Sequence, residues 1–182
     1  MSDILNVIYA IWVLIFFITF LYYIVKLFSQ MISWYGVPYV PSSDFKVDKL
    51  VLELEIKKWQ KFLDLWSGDW RILESIWKKY PELKLYWIEN SYFPYKLSLK
   101  RKEKNTLDYT IYKKNFFKED FSKYDVFYAF MIDYLMLKIW TKIKKECKTG
   151  TLFYSNSFQI KWEKPYKTIK ASENSFIYVY KV

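Results

Sequence analysis

The chain has 182 residues, enough for one domain of about 150 residues with a short appendage and too few for two. It has no histidine and a single cysteine, Cys147, which excludes a Ser-His-Asp triad, a Cys-His dyad, a disulfide framework and the usual His- or Cys-rich metal sites, so no metal is expected. Lys+Arg 29 against Asp+Glu 19 gives a net charge of +10, which suits anionic partners such as lipid headgroups or nucleic acid and equally suits a solvated lysine-rich surface.

From Ile4 to Val25 the chain carries 22 residues without a charge, interrupted only by Asn6 and Thr19 among strong apolars. At about 1.5 Å per residue this spans a hydrocarbon core of about 30 Å. No basic segment precedes it and no small-x-small cleavage site follows, so residues 4–26 are predicted to be an uncleaved transmembrane helix. Asp3 lies before it and Lys26 after it, with a lysine-rich chain beyond, which places the C-terminal domain in the cytoplasm. Residues 27–45 contain Gly36, Pro38 and Pro41 and read as a juxtamembrane connector, and residues 46–182 as the folded domain.

Ser43 or Asp44 can cap a helix over 45–56. Thereafter short apolar strands alternate with helical periodicity: strand 61–65, helix 71–80, strand 83–89, a basic stretch at 95–103 compatible with a helix, strand 110–115, strand 123–131, helix 134–147, strand 151–158, and extended segments at 162–170 and 176–182. This order predicts an α/β fold, a doubly wound and mostly parallel sheet, with the last strand added antiparallel at the edge.

In such a sheet ligands bind beyond the carboxyl ends of the strands, beside the first. The first strand runs into Asp64-Leu65-Trp66-Ser67-Gly68-Asp69-Trp70-Arg71, and the second ends in Trp87-Ile88-Glu89-Asn90. Glu89 follows Gly68 by 21 residues, a spacing at which a carboxylate can accept hydrogen bonds from ribose hydroxyls. Here the chain resembles the class I, seven-stranded S-adenosylmethionine-dependent methyltransferases, whose first motif often reads D-L-G-x-G-D-G-R. Gly36-Val37-Pro38-Tyr39-Val40-Pro41-Ser42 is similar to the segment that leads into the domain in a membrane-anchored subgroup akin to the ATP synthase c-subunit lysine methyltransferases. Lys114-Asn115-Phe116-Phe117 looks like the segment that flanks adenine, and Lys148-Thr149-Gly150-Thr151 like the turn before the fifth strand.

The resemblance implies a Rossmann-like methyltransferase fold with a seven-stranded sheet, S-adenosylmethionine as cofactor, and a cofactor site built from Asp64, Trp66, Ser67, Gly68, Asp69, Trp70, Glu89, Asn90, Asn115 and Phe116. It implies methyl transfer to an acceptor at or near the membrane bilayer, with a protein lysine favoured and a lipid or quinone-like acceptor fitting the same anchor. Asp133 is a weak candidate for orienting the acceptor. The fourth strand continues Tyr128-Ala129-Phe130-Met131-Ile132-Asp133 and lacks the [DN]-P-P-[YF] signature of amino-methylating nucleic-acid enzymes, which argues against a DNA adenine or cytosine-amine substrate; a nucleic-acid partner is not expected, and a basic membrane-linked nucleic-acid binder stands as a further reading.

One departure from the family pattern is systematic. Three glycines accompany nine tryptophans, where ordinary usage predicts roughly 13 glycines. Trp66 and Trp70 stand where the motif has glycine, Trp87 where the family often writes G-I-E, and Trp59 where a K-x-G turn leads into the first strand. Two readings compete. In one, the site is degenerate and the chain is a cofactor-free membrane scaffold. In the other, UGA codons read as glycine by the cell have been rendered as tryptophan. The second is favoured, because every anomaly is Gly→Trp while Asp64, Gly68, Asp69, Arg71 and Glu89 are intact. It expects glycine at 59, 66, 70 and 87 and genuine tryptophan at 140 and 162.

Overall fold

A computed structural model describes residues 2–31, 42–66, 70–90, 92–105 and 107–182. The chain divides into two units, Met1–Tyr39 and Val40–Val182.

In the first unit α1 covers Ser2–Met31. Its segment Ile4–Lys26 is apolar, exposed along its length, and long enough to cross a membrane, a test that a signal sequence also meets. The Thr19 hydroxyl donates to the carbonyls of Ile15 and Phe16, at 2.8 and 2.9 Å.

In the second unit the elements are α2 (Asp44–Leu52), β1 (Lys61–Asp64), α3 (Arg71–Lys79), β2 (Lys84–Glu89), α4 (Tyr92–Asn105), β3 (Thr110–Lys113), β4 (Val126–Ala129), α5 (Asp133–Glu146), β5 (Leu152–Asn156), β6 (Lys167–Ser172) and β7 (Ser175–Lys181). One seven-stranded sheet runs in the order β3-β2-β1-β4-β5-β7-β6. The first five strands in that order are mutually parallel, and β7 pairs antiparallel with both β5 and β6. The expected α/β fold is therefore present, with one correction. The last strand does not form the edge; it inserts between β5 and β6, and β6 is the outer strand. Burial accounts for this: Ile177, Val179 and Tyr180 of β7 are buried, whereas β6 buries only Ile169 and Ala171 and presents alternate residues to water.

The helices follow their apolar spacing. α3 buries Ile72, Leu73 and Ile76, and α5 buries Leu135, Met136, Ile139, Trp140 and Ile143, rows at i, i+3 and i+4 that cover the sheet. Buried on both faces, β4 reads as a continuous apolar run, and β5 as one that ends in the buried polar pair Ser155 and Asn156. α2 is shorter than the expected 45–56, because Glu53 closes it and the chain then passes through a turn at Lys57–Gln60 before β1. Its last turn is pinned from α3, whose Lys79 ammonium and neighbouring Tyr80 hydroxyl both donate to the Val51 carbonyl.

Candidate active site

The switch point of this sheet lies between β1 and its two neighbours, β2 and β4, which leave it in opposite directions along the sheet. Asp64 closes β1 and stands in register with Trp87 on one side and Tyr128 on the other. Glu89 closes β2 opposite Lys113. Both carboxylates are enclosed, Asp64 at 0% and Glu89 at 1% exposure. Asp64 shapes the turn that leaves β1 by accepting the Trp66 N–H at 3.1 Å, and the Leu65 N–H donates to the Tyr128 carbonyl at 3.0 Å. Ser67, Gly68 and Asp69, the centre of that expected cofactor turn, lie outside the described residues, as do positions 36–41 of the leading segment.

Trp70 forms the N-cap of α3. Its ring carries the Arg101 guanidinium of α4 at 3.6 Å, a stacked cation–π pair, and its indole N–H is enclosed with no hydrogen-bond partner among the described residues. Such an orphaned donor costs about 1–3 kcal/mol. Trp87 sits wholly inside the core beside Val47, Leu50 and Ile76, its N–H similarly without a described partner. Its φ is not positive, so the backbone places no demand for glycine there. Trp59 does take positive φ, +67°. So does Trp162, also at +67°, which runs against its expected place among the genuine tryptophans; a bulky side chain in that region costs roughly 1 kcal/mol or more. Trp140, in contrast, fills the core under β5, with Phe153 at 6.2 Å and Tyr180 at 5.4 Å.

The remaining expected residues are placed as follows. Asn90 follows Glu89 at the end of β2, half-buried. Asn115 follows β3, and its side-chain oxygen caps a short 3₁₀ turn by accepting the Phe117 N–H at 2.8 Å. Phe116 is buried, its ring 4.4 Å from that of Phe117. Asp133 is exposed in the first turn of α5, where a carboxylate complements the helix dipole. Arg71 pairs with Asp44 and donates to the Ser42 carbonyl at 2.5 Å, so it fastens α2 to the amino end of α3.

A group that sequence reasoning missed lies at the ends of β4 and β5. The Asn156 amide donates to the Tyr128 hydroxyl at 2.7 Å and to the Ser42 hydroxyl at 3.1 Å. Lys46 of α2 donates to the Asn156 side-chain oxygen at 2.8 Å and to the Ser157 hydroxyl, with its ammonium 5.5 Å from the Phe130 ring. Ser42, Tyr128 and Asn156 are buried, and burial holds the Lys46 amine below the ordinary lysine value. Ser157 itself takes φ +69°. A polar strand-end residue, Asn156, was the one sequence signal for this network; the long-range partners Ser42 and Lys46 carried none.

No cluster of His, Cys, Asp or Glu among the described residues could hold a metal. A cavity of about 440 Å³ opens at the opposite, amino ends of β1, β4 and β5, lined by Lys57, Gln60, Asp125, Lys148 and Thr151, away from these carboxylates.

No family model matches the chain. A protein-lysine N-methyltransferase from Saccharolobus islandicus (strain REY15A) is 30% identical over 149 residues, which cover 79% of this chain and 92% of that protein. The chain belongs to the family of that enzyme, among the class I S-adenosylmethionine-dependent methyltransferases. Solved structures carry the same fold. An RNA methyltransferase from Salinibacter ruber, in complex with S-adenosyl-L-homocysteine, superposes with a TM-score of 0.72 at 19% identity, covering 78% of this chain and 93% of that one. A precorrin-6y C5,15-methyltransferase from Geobacter metallireducens GS-15 superposes at 0.57 with 9% identity, covering 79% and 93%. This methyltransferase uses S-adenosylmethionine. The described residues fit that cofactor where they supply acceptors: two enclosed carboxylates on adjacent parallel strands suit a donor-rich amino acid and ribose. They fit it poorly at Trp70, where an indole crowds the first turn of α3.

Proposed function

We propose that this methyltransferase methylates a lysine of a protein held at a membrane, with the donor seated at Asp64, residues 66–70, Glu89, Asn90, Asn115 and Phe116. The named activity of the 30%-identical relative supports the lysine acceptor, and the apolar α1 supports the membrane setting. The single observation that carries the site is the pair of buried carboxylates closing β1 and β2, Asp64 and Glu89.

S-adenosylmethionine supplies a methyl group on a sulfonium, open to in-line attack by a neutral amine. The chain's own residues then have two tasks. Glu89 accepts from the ribose hydroxyls, and Asp64 holds the turn and faces the amino-acid portion. Tyr128, Asn156 and Lys46 wall the acceptor side. Alignment of amine and methyl supplies most of the acceleration in such a displacement. An acceptor lysine must lose a proton to attack, and desolvation beside the Lys46 ammonium favours its neutral form. A membrane tether would raise the local concentration of acceptors in the same bilayer.

The test is to incubate the full-length chain in lipid vesicles with methyl-labelled S-adenosylmethionine and membrane protein from its own source. Label on protein lysine, lost on Glu89→Ala, is expected. Label confined to RNA or to lipid would contradict the proposed acceptor.

A further inference from the structure

Three β-turns in this chain share one form: Lys57–Gln60, Lys148–Thr151 and Ile160–Glu163. In each, the N–H of the fourth residue donates to the carbonyl of the first, at 3.2 Å in all three. In each, the third residue takes positive φ, +67° at Trp59, +93° at Gly150 and +67° at Trp162. A turn of this kind calls for glycine, or at most asparagine, at its third position. The chain supplies glycine in one of the three and tryptophan in the other two.

Bulky residues at positive φ persist where surrounding structure compensates the strain. None does here. Trp59 is 71% exposed and Trp162 is 91% exposed, so neither indole gains a packed environment in return. Two of the three non-glycine residues with positive φ among those described are tryptophan, although tryptophan makes only 9 of 182 residues. Two other tryptophans lie where their rings pack. Trp140 is buried in an aromatic cluster, and Trp77 packs on the core from within α3, where glycine would weaken the helix.

We infer that positions 59 and 162 are glycine in the protein its own cell makes, and that the same codon, rendered as tryptophan in the written sequence, stands at 66 and 70. UGA meets the requirement, being tryptophan under one decoding table and glycine under another; Trp77 and Trp140 are then UGG. The extension to 66 and 70 rests on the reading of the β1 loop as the cofactor turn, whereas positions 59 and 162 rest on backbone geometry alone. Glycine at 66 and 70 removes the indole that stacks on Arg101 and lets the backbone amides between Asp64 and α3 approach the donor.

The decisive measurement is peptide mass spectrometry of the protein purified from its own source, with the coding DNA read alongside. Glycine masses are expected at 59, 66, 70 and 162, and a tryptophan mass at 140. Tryptophan at 59 and 162, or UGG codons there, would overturn the inference. Glycine at 59 and 162 with tryptophan at 66 and 70 would uphold the backbone argument and overturn its extension to the cofactor turn. A second measurement needs no source material. In the full chain, Trp59→Gly with Trp162→Gly raises the midpoint of thermal unfolding and Trp140→Gly lowers it; a fall for the first pair would count against the inference. Neither measurement depends on methyl transfer, so a failed activity assay leaves both outcomes readable.

Discussion

The Asn156 amide donates to the Tyr128 hydroxyl at 2.7 Å, joining the carboxyl ends of β4 and β5 beneath α2. The two strands are already paired in register, Tyr128 with Tyr154, so this bond adds no sheet structure. Its effect is to fix a polar floor on which Ser42 and Lys46 sit. Tyr128→Phe leaves the buried Asn156 amide with one acceptor fewer at almost unchanged volume. A loss of about 1–2 kcal/mol in denaturant unfolding is expected, with the slope unchanged.

Lys46 gives a pH dependence of defined sign. Burial lowers its folded value below the ordinary lysine value of 10.5, so over that interval the unfolded chain binds more protons than the folded one. Stability contributed at this position therefore rises with pH through the window that ends near 10.5 and is diminished below it. Measured against Lys46→Met, the parent chain should gain in unfolding free energy as the pH is raised from neutrality toward that value; a difference that shrinks instead would show that the amine is better solvated than its Asn156 and Ser157 contacts indicate.

Cys147 behaves oppositely. Burial, with Glu146 second, pushes its thiol up to about 12, and the Sγ contact to the Phe121 carbonyl at 3.4 Å suits the protonated form. The folded state thus holds the proton longer, and stability from this group is present below pH 9 and lost as the pH climbs toward 12. Alkylation at mildly alkaline pH should run roughly 100-fold or more slower in the folded chain than in urea, because the thiolate is the reactive species. Comparable rates in the two states would contradict the burial of this thiol.

The periodic segments were legible because burial writes itself into spacing. Ile72, Leu73 and Ile76 marked α3, and the continuous run Val126–Ala129 marked an enclosed parallel strand. Asp64 and Glu89 stood out in the sequence only because Gly68, Asp69 and Arg71 follow in register; a lone acid closing a strand would have read as an ordinary polar residue. The place of β7 was not, since an alternating strand fits an edge or an inner antiparallel position equally, and only the stronger burial of Ile177 and Val179 over β6 separates them. The positive φ of Trp162 was not legible for a related reason. Identity and neighbours gave no sign of its φ, which the hydrogen bond from Glu163 to Ile160 sets. The Lys46–Asn156 contact spans 110 positions in the chain and has no local signature at all.

The most direct test of the site is calorimetric titration of the full chain, carrying glycine at 59, 66, 70 and 162, with S-adenosyl-L-homocysteine. Removing one charge-assisted hydrogen-bond acceptor costs about 1.5–3 kcal/mol, so Glu89→Gln should weaken binding by roughly 10- to 100-fold while leaving the unfolding midpoint nearly unchanged. Binding that is indifferent to Glu89, or no binding by the glycine form, would contradict the placement of the cofactor at the carboxyl ends of β1 and β2.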